Sequence, residues 1–405
     1  MPGVPSGRGC DACRQQKKKC DQLSPSCSRC ARLGIPCMGS GQRRYKFIPT
    51  LQLPPRVPPS QMNHDASSFV SALQVTDVRF DLGIYGPFLT EIPRRLGKSE
   101  ALDASVRALT TAYPSVHSHQ FTSDMYKSYG EALQHLRTAL GDPSKATSID
   151  TLCAVYLIVI CQGWIRRGGD FIPSHGEAIA HLLNGAVARQ NWQGQFEAEV
   201  VNTLLMIVVL ESFTNHKIKL DPRLWVTSTT PAIARPNRPP ADGTTEIKCL
   251  RVSTLAAISG YTTDIRGSLP EIVSTYEVLQ VDLAKMKALL SGMSVMAASE
   301  LTLAQRRIHV RRQTGYGILL LLGIMANWAL RAFEIGDPYA LELQRAMIVD
   351  EVVELAQQAI QYRPLGSSSM PGFIMAAKAM TNDATKLIRL QELLQLYQSD
   401  FPLSQ

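Results

Sequence analysis

Six of the nine cysteines of this 405-residue chain fall within 28 residues, in "CDACRQQKKKCDQLSPSCSRCARLGIPC" from Cys10 to Cys37. Only Cys153, Cys161 and Cys249 lie elsewhere. The spacing C-x2-C-x6-C-x6-C-x2-C-x6-C is an internal duplication, since "CDACRQQKKKC" and "CSRCARLGIPC" share one form. A C-x2-C pair can place two thiolates on one metal through a tight turn, and a third can return from the end of a short helix. Three thiolates leave tetrahedral zinc one ligand short. Six sulfurs in two halves satisfy two Zn2+ if two of them bridge, and by symmetry the bridging pair is the first cysteine of each half, Cys10 and Cys27. The expected metal ligands are therefore Cys10, Cys13, Cys20, Cys27, Cys30 and Cys37. So short a unit cannot bury enough apolar surface to fold alone, and metal must act as its core. Structural zinc contributes about 10–16 kcal/mol of apparent folding energy in such modules. A disulfide knot would need an oxidising route, and "MPGVPSGRG" ahead of Cys10 has no apolar run of a secretory leader.

Charge is distributed unevenly. Residues 1–47 hold ten basic and two acidic residues, a net +8 that equals the charge of the whole chain; the remainder is balanced. A basic head on a neutral body points to a polyanionic partner, nucleic acid before membrane. The longest uncharged apolar stretch, "QTGYGILLLLGIMANWAL" between Arg312 and Arg331, touches the lower length of a membrane span. It carries Gln313, Thr314, Asn327 and three glycines, so it is read as a buried core helix and no membrane partner is expected.

Four zones follow. Residues 1–9 are rich in Gly, Pro and Ser and read as flexible. Residues 10–40 hold the cysteine unit. Residues 41–66 begin basic and turn proline-rich, with five prolines between Pro49 and Pro59, an extended linker. Residues 67–405 read as a large all-α domain. Tyr126, Tyr129, Leu133, Leu136 and Leu140 recur at helical steps, and Gly141 with Pro143 stops that helix. "SIDTLCAVYLIVICQGWI" is too long for a strand, Ser174 and Glu177 have capping-box spacing, and Pro270 opens a further helix. Residues 221–243 read as a long proline-rich loop.

The cysteine unit resembles the fungal Zn(2)-C6 binuclear zinc cluster transcription regulators. The resemblance rests on the six cysteines at their spacing, Asp11, Arg14, Lys17 and Lys19 in the basic run, Asp21, and Pro25 two before the fourth cysteine. It implies two short helices around two Zn2+, reading a CGG-type triplet of double-stranded DNA in the major groove. By position, Lys17 and Lys18 would meet guanine O6 and N7, while Arg14 and Lys19 would contact phosphates. Pro25 would shape the loop between halves, in this family often through a cis bond. Gln16 is a departure, since the family commonly has Arg or Lys there. Gln cannot pair with a phosphate charge, which weakens one backbone contact, but it can read adenine in a bidentate way. Residues 100–190, with "LDASVRALTTAY", "YKSYGEALQHLRTAL" and "SHGEAIAHLL", are similar to the all-helical fungal-specific transcription factor domain, which implies a regulatory body and co-regulator partners.

Other constellations carry less. His175 and His181 are six residues apart, not the four that would share a helix face. "GSGQRR" lacks the third glycine of a dinucleotide loop. Cys153 and Cys161 lie in an apolar run and read as small hydrophobes, and Trp164, Trp192 and Trp328 read as core. No Ser/His/Asp order or phosphate loop argues for an enzyme. The stretch after the cluster shows no heptad repeat, so the chain is expected to bind DNA as a monomer or to dimerise through its helical body. The leading expectation is a nuclear, sequence-specific regulator of RNA polymerase II transcription. The alternative is a zinc-dependent protein-interaction scaffold, which the +8 head disfavours.

Overall fold

The computed structural model describes residues 9–39, 60–165, 175–189, 194–213, 215, 217–224, 247–294 and 301–401. The expected flexible N-terminus, most of the linker, Ser174, Trp192 and most of the 221–243 loop lie outside the described residues. The chain divides into two compact units between Pro59 and Ser60.

The first unit contains α1 (Asp11–Gln15) and α2 (Ser28–Leu33). The second is all-helical, with no strand among the described residues. Its elements are α3 (Gln61–Leu73), α4 (Glu100–Ser118), α5 (Ser123–Gly141), α6 (Ile149–Trp164), α7 (Gly176–Arg189), α8 (Gln195–Ser212), α9 (Val252–Tyr261), α10 (Leu269–Ser294), α11 (Leu303–Ala332), α12 (Pro338–Ala359), α13 (Met370–Met380) and α14 (Ala384–Gln398). Short 3-10 turns fill residues 78–95.

Local chemistry sets these boundaries. Ser99, Thr122 and Ser148 each accept the backbone N–H three residues on, opening α4, α5 and α6. Thr302 and Gln305 form a full capping box at α11. Ser60 caps α3 in the same way, so a helix begins inside the stretch read as linker. Proline density had set that boundary at 66; the serine directly after Pro59 is the stronger signal, because a capped N-terminus satisfies N–H groups that an extended chain leaves to water.

Two apolar cores result. Phe69, Phe88, Leu102, Leu109, Leu152 and Leu157 anchor the first, which draws on α3 to α8. Leu279, Leu319, Leu322, Val349, Ile374 and Leu390 anchor the second, which draws on α8 to α14. Helix α8 serves both, giving Val200, Val201, Leu204, Leu205 and Val208 to one and Val209 to the other, with Phe213 just beyond its end. Across this division, Asp81, almost fully buried, accepts from Arg307 Nε of α11 at 2.5 Å and also caps Gly83 N at 2.8 Å.

The apolar 18-residue stretch lies in α11. That helix is long and apolar enough to cross a membrane by length and composition, but two thirds of its most apolar window (67%) is buried by neighbouring helices. Gly317 is the reason one neighbour fits, since a Cβ there would lie 2.1 Å from the Phe373 ring of α13. Cys153, Cys161 and Trp164 are buried as expected. Trp328 is not: half its surface is exposed at the end of α11 (50%), where apolar character alone wrongly suggested core.

Candidate metal centre and nucleic-acid interface

Helices α1 and α2 repeat one design. Each starts at the residue after a half's first cysteine, so Cys10 and Cys27 are the N-caps. Cys10 N donates to Cys20 Sγ at 3.5 Å, and Cys27 N donates to Cys37 Sγ at 3.3 Å. The first N–H of each helix finds an acceptor just past the last cysteine of a half. Ser28 N donates to both Asp21 carboxylate oxygens at 3.1 and 3.2 Å, and Asp11 N donates to the Met38 carbonyl at 2.9 Å. The Ser28 hydroxyl, and after it the donated Ser28 N–H, holds the Asp21 carboxyl below its ordinary pKa. The Ser24–Pro25 bond between the halves is cis.

Both helices end in the same two-bond cap. Lys18 N reaches Cys13 O at 2.9 Å and Lys17 N reaches Arg14 O at 3.0 Å; Ile35 N reaches Cys30 O at 3.2 Å and Gly34 N reaches Ala31 O at 3.4 Å. This motif requires a left-handed residue, and the second half supplies Gly34 at φ +61°. The first half supplies Lys17 at φ +49°. A lysine in that region costs roughly 1–2 kcal/mol relative to glycine. The strain falls on a residue expected to read bases, where such outliers concentrate.

The six sulfurs converge. Cys10, Cys13, Cys20 and Cys27 form one set of four with all Sγ atoms within 4.8 Å of one another, and Cys10, Cys27, Cys30 and Cys37 form the other. The two sets share Cys10 and Cys27. Sγ separations are 3.8 Å for Cys10–Cys27, 3.5 Å for Cys10–Cys30 and 3.8 Å for Cys13–Cys27. Tetrahedral zinc with Zn–S near 2.3 Å needs sulfurs ~3.8 Å apart, so the donor set fits two zincs. The Cys13 N–H lowers the Cys10 pKa and the Cys30 N–H lowers that of Cys27, while burial raises Cys13 to about 11 and raises Cys30 further.

A model of the fungal Zn(2)-Cys(6) binuclear cluster domain matches residues 8–46. The chain carries a fungal binuclear zinc cluster domain. This domain holds two zinc ions. Transcription factor phomD' and transcription factor phomD, both of Diaporthe leptostromiformis, are each 39% identical over 57 residues, 14% of this chain and 11% of theirs. The quinic acid utilization activator of Emericella nidulans is 44% identical over 43 residues, 11% of this chain and 5% of its own. The matched segment therefore spans about a tenth or less of these relatives' length. No solved structure matches the chain.

Around the zinc cluster domain's sulfurs, Lys17, Lys18 and Lys19 stand exposed in and after the strained turn. Arg14 lies 3.5 Å from the Asp11 carboxylate. The Gln16 side chain points to the other half, where its Oε1 accepts from Arg29 Nη2 at 2.6 Å. Nothing in the spacing marks this contact, which links residues 13 apart. In the body, a cavity of about 660 Å³ lies beside Phe196 and the Asp81–Arg307 pair. Two of its arginines already face carboxylates, Arg307 with Asp81 and Arg94 with Glu91. His175 bonds Gln162 at 2.7 Å and His181 is exposed on α7, so the sequence pair does not form a site.

Proposed function

We propose that this protein is a sequence-specific, zinc-dependent DNA-binding regulator of RNA polymerase II transcription that acts in the nucleus. In this reading Cys10 and Cys27 bridge the zincs. Cys13 with Cys20 completes one site, and Cys30 with Cys37 completes the other. Lys17 and Lys18 read guanines of a CGG-type triplet, Arg14 and Lys19 contact phosphates, and Gln16 and Pro25 shape the surface that meets DNA. The observation that carries the reading is the lysine run presented by a strained cap directly beside the shared-sulfur cluster. The names of the relatives, two transcription factors and an activator, support it. The body would act as the fungal regulatory domain and contact co-regulators. It would also pair two copies, supported by Tyr339, Leu343 and Met347, which recur every four residues on the exposed face of α12.

The test is binding of the full chain to duplexes with a CGG or a scrambled triplet across a salt series. The reading expects preference for CGG, a log–log salt slope near −0.9 per phosphate neutralised, and loss of binding with a chelator. Equal, salt-insensitive binding to both duplexes would favour the protein-scaffold alternative.

A further inference from the structure

We propose that Arg29, from the second half of the cluster, is a phosphate-contacting residue of the first half's DNA surface, and that Gln16 is the residue that positions it. The inference rests on the DNA-binding reading and adds to it a cation that position in the motif does not assign.

Three observations carry it. First, Arg29 Nη2 donates to Gln16 Oε1 at 2.6 Å, while its Nη1 lies 4.0 Å from Cys13 Sγ. The guanidinium is therefore held against Gln16, the residue that ends α1, one position before Lys17. Second, the contact breaks the internal duplication. The position equivalent to Arg29 in the first half is Ala12, and that equivalent to Gln16 in the second is Leu33. The two halves share capping and sulfur geometry, but this side-chain bridge exists once and on the lysine side only. Third, the charges are otherwise distributed. Arg14 faces Asp11 at 3.5 Å, whereas among the described residues no carboxylate is paired with Arg29. A guanidinium has five N–H donors in a rigid fork, so two engaged groups leave others for a phosphate oxygen. Gln16 meanwhile has one lone pair of Oε1 taken, which opposes its use as a bidentate adenine reader and suits it to hold Arg29. The positive charge missing at position 16 is thus restored from across the cluster.

The experiment uses the full two-zinc chain and 20-base-pair duplexes with a CGG or a scrambled triplet. Arg29→Ala should weaken binding to both duplexes alike and reduce the magnitude of the log–log salt slope by about 0.9, the signature of one lost phosphate contact. Gln16→Ala should give part of that loss, and the double variant should bind no worse than Arg29→Ala alone. Gln16→Lys in the Arg29→Ala background should return the slope to the wild-type value. Zinc should stay at two per chain throughout. An unchanged slope in Arg29→Ala overturns the proposal while leaving the DNA-binding reading intact. Loss of zinc in Arg29→Ala, with Gln16→Ala at the wild-type slope, also overturns it by making Arg29 only a counter-charge to the thiolates. A wild-type chain that binds neither duplex overturns the DNA-binding reading itself and this proposal with it.

Discussion

Lys17 and Gly34 occupy equivalent caps, and their difference is informative. If Lys17 were kept for folding, replacing it with glycine would cost stability. The left-handed φ of +49° argues the reverse. Lys17→Gly should leave the zinc-bound head at least as resistant to a chelator titration while abolishing preference for guanine in a duplex competition. The sulfurs divide by role in the same manner. Cys10→Ala and Cys27→Ala each remove a ligand from both sets of four, whereas Cys20→Ala touches one. Native mass spectrometry should find no zinc in the first two variants and a residual ion in the third; two ions in Cys10→Ala would refute the bridge. The sharing of Cys10 and Cys27 was legible in the spacing, because duplication plus tetrahedral valence leaves few solutions. The strain at Lys17 was not, since no glycine marks the turn; only its duplicate Gly34 did. The Gln16–Arg29 contact was illegible for a further reason. It follows neither periodicity nor symmetry and depends on how two short helices cross.

Helices were legible where apolar residues recur at helical steps, as in α5, or run too long for a strand, as in α6. They were missed in residues 78–95, where 3-10 turns have neither the 3.6-residue period nor the length that pattern reading needs. Glycine in a helix has two opposite meanings that sequence cannot separate. Gly317 admits Phe373, so Gly317→Ala should destabilise the body by roughly 1–3 kcal/mol through overpacking. Gly292 in α10 has open space where a Cβ would stand, so Gly292→Ala should stabilise by about 0.4–1 kcal/mol. Urea denaturation of the two variants should move the midpoint in opposite directions. Trp328 is a similar case, because its indole is as apolar as a core residue and its exposure depends on the face of α11 it occupies, since Asn327, Ala329 and Leu330 beside it are buried.

At the scale of the molecule, the basic metal-dependent head and neutral body were legible from charge and cysteine placement, and the helical character of the body from periodicity and segment length. The joining of the body's two cores was not, because it depends on pairs far apart in the chain. Asp81 and Arg307 are 226 residues apart, and Asp81→Ala would leave Gly83 uncapped and Arg307 without its carboxylate. A loss of about 1–3 kcal/mol is expected, read as a lower urea midpoint for the body. Helix α8 joins the cores more deeply, since Val200, Val201, Leu204, Leu205 and Val208 pack into one cluster and Val209 into the other. Neither half can then open its interior without stripping cover from that helix. The amides of residues 200–209 should therefore be among the slowest to exchange with deuterium, protected by global rather than local opening, and a break in the chain near residue 213 should release both halves to proteolysis together.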